Sequence, residues 1–202
     1  MTPPADARTV WSMTDGAISG FTVHEFRLHD DVDRATAQER LGGVDGADVT
    51  VPLMTRIDDV RSFALVRAHH PGGSAAEDRE DREVRAAIDR IGDGVRSRDF
   101  RARVALATPD AGAHFRLAVT EFGRNDAAPS APDTWVAADG VDRPDADSQL
   151  LWIGITADSQ QGLFVLVGHD VEEPRRSDEA NRGWPLPLSS DLGVRIYTGT
   201  RA

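Results

Sequence analysis

Leu150-Leu-Trp-Ile-Gly-Ile155 and Gly162-Leu-Phe-Val-Leu-Val167 are two short apolar runs separated by the polar Ala157-Asp-Ser-Gln-Gln161. Each is too short for a core helix and apolar at every position, which predicts a strand covered on both faces. The polar segment between them predicts a turn. These two strands are therefore read as the heart of the core.

Working outward, the neighbouring segments are strand-like but two-faced. Phe100, Ala102, Val104 and Leu106 alternate with Arg101, Arg103, Ala105 and Ala107, and His114 to Phe122 alternates again through Phe115, Leu117 and Val119. Thr108-Pro-Asp-Ala-Gly-Ala113 lies between them with turn chemistry, so an antiparallel hairpin is expected. Further strands are predicted at Phe21–Leu28, Asp48–Met54, Ser62–Ala68 and Gly193–Thr198. Asp31 or Asp33 stands where a helix cap belongs, ahead of about two turns over Arg34–Leu41.

The best helix runs over about 78–91. Val84, Ile88, Ile91 and Val95 fall at spacings of four, three and four and form one apolar stripe, with Asp78–Arg82 and Asp81–Arg85 as charge pairs on the other face. With about nine short strands, the expected fold class is α+β and mainly antiparallel β: a sandwich or partly open barrel with this one main amphipathic helix packed on a sheet. Residues 1–202 are read as a single domain, with 69–77 as the best place for a weak subdivision. No internal repeat of fixed period is visible.

Composition excludes several function classes. There is no Cys, which removes disulfides, thiolate metal sites and Cys nucleophiles. All 23 basic residues are Arg, as expected from a GC-rich coding bias, and the absence of Lys removes Schiff-base catalysis and the phosphate-loop Lys. The net charge of −11, with the Arg residues scattered among acids, argues against nucleic acid and anionic membranes as partners. No apolar run approaches the roughly 18 residues of a membrane span. Met1–Arg8 shows no secretory signal, so a cytoplasmic address or a place in an assembled particle is expected.

Candidate chemistry rests on few residues. His169-Asp170 follows the buried strand at 162–168 and presents an imidazole and a carboxylate at its exit, with Ser148 or Ser159 as neighbours; this is the catalytic candidate if the protein is a small hydrolase or metal-dependent enzyme. Gly-x-Ser-x-Gly is missing, and a polar strand terminus is the plain alternative. His24, His69 and His70 near strand ends, or Asp139, Asp142, Asp145 and Asp147 in one loop, are the candidate metal ligands, but neither set matches a ligand template. No motif calls for a cofactor. Trp184, Leu186 and Leu188 alternate with prolines after Arg182 and form an extended apolar arm; with Trp11 they are the candidate contacts for a protein partner or self-association. Trp135, Trp152 and Trp184 would serve a carbohydrate or small-ligand site if their rings were exposed. From these readings the sequence is expected to encode a non-catalytic β-rich interaction or assembly module, with the enzyme and ligand-binding readings as alternatives.

Overall fold

The computed structural model describes residues 12–13, 18–42, 51–70, 75–107, 113–121, 148–156, 162–169 and 193–201. Period-two patterning has made strands wherever it was clear: β1 (Ser12–Met13), β2 (Gly20–Leu28), β3 (Met54–Arg56), β4 (Ser62–His69), β5 (Gly92–Ala107), β6 (His114–Glu121), β7 (Ser148–Thr156), β8 (Gly162–His169) and β9 (Gly193–Thr200). Two helices accompany them, α1 (Arg34–Gly42) and α2 (Ala75–Asp89). Asp33 is the α1 cap, its Oδ1 accepting from Thr36 N at 2.7 Å. That bond holds the Asp33 carboxyl below its ordinary pKa.

All strand pairings are antiparallel, in the order β1-β5-β2-β4-β3-β9-β6-β8-β7, and β7 also pairs with β5. The last pairing returns the sheet to its start, so eight strands form a closed barrel. The mainly antiparallel expectation is met, while the sandwich or open barrel is corrected to a closed one. Closure removes the free edges that an open sheet would leave.

The strand order also contains a duplication invisible as sequence periodicity. The run β2-α1-β3-β4-α2-β5 is a split β-α-β unit with spatial order β5-β2-β4-β3. The later strands repeat that order as β9-β6-β8-β7. Each half contributes two outer strands, and the halves join at two seams. At the first, β5 spans 16 residues and pairs β2 along Gly92–Arg101 and β7 along Phe100–Ala107. At the second, β3 meets β9 through only Thr55↔Thr198 and Arg56↔Tyr197.

This topology corrects the expected hairpin between 100–107 and 114–122. β5 pairs with β1, β2 and β7, whereas β6 pairs with β8 and β9. The turn residues link two halves of the barrel instead of two neighbouring strands. The strand expected over Asp48–Met54 is shorter and later, at Met54–Arg56, and β5 begins at Gly92, well ahead of the alternation read from Phe100.

Two apolar layers follow from alternation. Phe21, Val23, Ala64, Val66, Phe100, Phe115, Leu117, Val119, Leu150, Trp152, Leu166 and Tyr197 belong to one cluster, which fills the barrel. Phe26, Leu28, Phe63 and Leu65 belong to the other, on the outward face under the helices, together with Ala37 and Leu41 of α1 and Val84, Ala87 and Ile88 of α2. Val84 and Ile88 of the predicted stripe thus lie on the packed face of α2, whereas Ile91 follows the helix and Val95 belongs to β5. Among the charges of α2, Asp81 binds Arg67 of β4, and Arg79 pairs with Glu83 at 3.8 Å along the helix. β7 is buried on both faces along Leu150–Thr156, as its uninterrupted apolar run requires.

Beside the narrow second seam, polar side chains add a further link between the halves, from β9 to β2. Arg195 of β9 donates to Glu25 of β2 through Nε at 2.6 Å and Nη2 at 2.8 Å, and the Tyr197 hydroxyl donates to Glu25 Oε1 at 2.5 Å. Burial and the neighbouring carboxylate push the Tyr197 phenol well above its ordinary pKa, so it stays protonated as the donor. Gly199 lets β9 approach β3, since a Cβ there would stand 2.8 Å from Met54 Cγ and 3.1 Å from Leu53 O. Arg195→Met should leave Glu25 as an uncompensated, largely buried charge and cost about 3 kcal/mol. Urea unfolding of the variant beside the parent protein measures it, and an unchanged midpoint would show that the seam does not depend on this pair.

Candidate functional site

The outward face of the first half changes character along its strands. At one end Phe26, Leu28, Phe63 and Leu65 meet the helices; at the other, the same alternation places polar side chains on this face, Thr22 and His24 among them buried. Register defines three rows across β5, β2 and β4: Arg101–Gly20–His69, Asp99–Thr22–Arg67 and Ser97–His24–Leu65. Antiparallel partners share a face, so the polar members of these rows lie together on it, with Leu65 marking where the apolar part begins.

Thr22 is the centre of these polar residues. It is 4% exposed, and its hydroxyl donates to Asp99 Oδ1 at 2.6 Å. The same oxygen lies 2.7 Å from His69 Nε2. A hydroxyl has one proton, and here it is given to the carboxylate, so Nε2 of His69 must be the donor to Thr22. A neutral His69 therefore carries its lone pair on Nδ1, which has no hydrogen-bond partner among the described residues. The imidazole is fixed in one tautomer by a carboxylate acting through a hydroxyl. The backbone beneath is pinned too: Ser19 N donates to His69 O at 2.7 Å, and Ala102 N donates to Ser19 O at 3.1 Å.

His24 occupies the deeper row. Its Nδ1 is 2.9 Å from Ser97 Oγ, and its Nε2 is buried without a hydrogen-bond partner. Burial, helped by the Arg67 and Arg85 charges and opposed by Asp81 and Asp99, lowers its pKa to about 4, so it is neutral at neutral pH. Arg67 is held above this layer by Asp81 and by Glu80 at 3.3 Å, both from α2. Arg85 of α2 reaches Ser97 Oγ at 3.4 Å. The helix that covers the apolar end with Val84 and Ile88 thus presents charges to the polar end.

Of the residues singled out from sequence, His24 and His69 share this face, but they serve different partners. His70 is exposed. No group of three or more potential metal ligands occurs among the described residues. His169 ends β8, in register with both His114 and Ser148, so the backbone sets His169 of the predicted His169–Asp170 pair beside Ser148, one of its two expected neighbours, on the adjacent strand. Asp170, Ser159, Trp11, Trp135, Arg182, Trp184, Leu186, Leu188 and Asp139, Asp142, Asp145 and Asp147 lie outside the described residues. Trp152 is 3% exposed, with its ring centroid 5.1 Å from that of Phe21 inside the barrel, so it is a core residue and offers no surface to a sugar. Thr22 and Asp99 were missed because a Thr and an Asp 77 residues apart carry no local motif; only strand register joins them.

No protein-family model matches the chain, and no curated protein matches it. Solved structures do share its fold. A candidate monooxygenase from Lactobacillus acidophilus superimposes with a TM-score of 0.53 at 13% identity, over 90% of this chain and 96% of the other. A second candidate monooxygenase, from Fusobacterium nucleatum, gives 0.55 at 10% identity over 92% and 94%. These matches correct the expectation of a structural or assembly module: the solved proteins sharing this architecture nearly end to end are described as enzymes. No helix among the described residues is long and apolar enough to cross a membrane.

The buried His24 gives the site a measurable signature. Its folded pKa of about 4 lies below the 6.5 of a free imidazole, so between those values the unfolded chain binds the extra proton and stability falls as the pH falls. Above pH 6.5 both states are neutral and this loss is absent. The full loss is roughly 3 kcal/mol. Denaturant titrations from pH 7 down to pH 4 should show a steeper decline for the parent than for His24→Gln; parallel curves would mean that His24 titrates normally.

Proposed function

We propose that the protein is an enzyme of the oxygenase type that removes a proton from an organic substrate on the outward face of its first half, with His69 as the base. The observation that carries this reading is the Asp99–Thr22–His69 chain, which directs the imidazole lone pair to Nδ1. A base held in one tautomer by a carboxylate is what proton abstraction requires. The likeness to candidate monooxygenases supports the reading at the level of fold.

The chemistry within reach of these residues balances simply. His69 Nδ1 takes a proton from an activated methylene, and the electron pair remains on the substrate as a resonance-stabilised carbanion. The carbanion transfers electrons to dioxygen and forms a carbon–oxygen bond, giving a hydroperoxide that loses water to leave a carbonyl. Overall, CH2 plus O2 becomes C=O plus H2O, with the substrate as the reductant. Thr22 and Asp99 favour the imidazolium formed in the first step, because its Nε2 proton already points toward Thr22 and the carboxylate behind it.

Oxygen uptake with a panel of polycyclic ketones and phenols that carry activated methylene or ring C–H groups tests the proposal. The parent protein should accelerate uptake with at least one of them, and His69→Ala should lower that rate about 10²–10⁴-fold. Uptake that is indifferent to His69→Ala removes His69 as the base, and no acceleration across the panel removes the oxygenase reading.

A further inference from the structure

Gly20 stands in the row Arg101–Gly20–His69 and contributes no side chain to it. It has to be glycine, since a Cβ there would meet Phe100 O at 2.8 Å. Adjacent strands lie about 4.8 Å apart, so Arg101 and His69 flank a bare strip of backbone with their main chains about 10 Å apart. That gap has the width of a flat ring lying against the sheet. Arg101 is exposed and makes no ion pair among the described residues, whereas Asp99, two residues away on the same face, is engaged by Thr22. The row thus offers a base on one side and a guanidinium on the other.

We infer that Arg101 recognises the oxyanion of an aromatic or enolic substrate lying over Gly20, opposite His69. The inference rests on the reading of His69 as the base and adds a substrate class to it. When His69 Nδ1 takes the proton, the electron pair left behind delocalises onto the substrate oxygen, and Arg101 is placed to hold that charge through two N–H donors. A neutral hydrocarbon gains nothing from this arrangement, whereas a phenol or an enolisable ketone gains an interaction that grows as the proton leaves. In the second half the equivalent row is His169–His114–Thr200, so the position of Gly20 carries an imidazole, with His114 Nδ1 3.5 Å from Thr200 Oγ1. The bare strip with an arginine on its flank belongs to the first half among the described rows.

Binding of 4-nitrophenol, with nitrobenzene as the uncharged control, tests this without turnover. Equilibrium dialysis of the full chain should show the nitrophenolate form bound at least about tenfold more tightly than nitrobenzene. The absorbance titration of the bound probe should move to lower pH. Arg101→Gln should abolish both effects and leave nitrobenzene binding and the thermal midpoint unchanged, while Arg101→Lys should restore part of the preference. Equal binding of the two probes by the parent protein, or a preference that survives Arg101→Gln, overturns the inference. His69→Ala should keep nitrophenolate binding, since that probe arrives already ionised, and should lose oxygen uptake. Phenolate preference without oxygen uptake therefore counts against the oxygenase reading alone, and uptake that ignores Arg101→Gln counts against the role of Arg101 alone.

Discussion

Closure of the sheet is the constraint on which the rest of this structure depends. Eight strands can return to their start only if the two halves of the chain meet at both outer edges, and the two meetings are unequal. One is a long strand, β5, shared between halves; the other is a three-residue strand, β3, with two register pairs to β9. So short a ladder supplies little backbone hydrogen bonding. Glu25 of β2 and Arg195 and Tyr197 of β9 add charge-assisted bonds between the halves, bringing residues 170 and 172 positions apart into one network. Desolvating such a group is costly unless every partner is in place, so the network also discriminates against other ways of joining the halves.

The closed barrel takes one face of every strand for its own core and leaves the other for whatever covers the outside. In the first half that outer face is divided. Its apolar part binds α1 and α2, and its polar part, at the start of β2 and the end of β4, retains hydroxyl, imidazole, carboxylate and guanidinium groups. Anchored strands hold these groups, so the separation of His69, Thr22 and Asp99 is set by the sheet and not by a loop. Preorganisation of that kind is what the proposed proton transfer would use. His24 remains neutral beside it because burial outweighs the nearby carboxylates.

Much of the fold was legible. The apolar runs at 150–155 and 162–167 became adjacent strands buried as expected where their side chains are described, and Val84 and Ile88 became packed residues of α2, with Ile91 buried just beyond the helix. Two errors share one cause. The 100–122 hairpin was inferred from a turn-rich spacer, but such a spacer also serves as the connection between halves of a duplicated fold, and local chemistry does not distinguish the two. The assembly-module reading took the lack of a contiguous catalytic motif as a sign of no catalysis, whereas the polar constellation is assembled from β2, β4 and β5, whose members are distant in sequence.

The amino-acid sequence by itself determined the strand-rich class, the faces of individual strands and of α2, and the absence of thiol and lysine chemistry, because periodicity and composition are local properties. Tertiary structure alone decided that the barrel closes, that strand order repeats, that Glu25 meets Arg195, and that Thr22 links His69 to Asp99. Those outcomes depend on which strands become neighbours and in what register. Register is settled by the joint burial of many side chains across the whole barrel, and no short stretch of the chain contains that information.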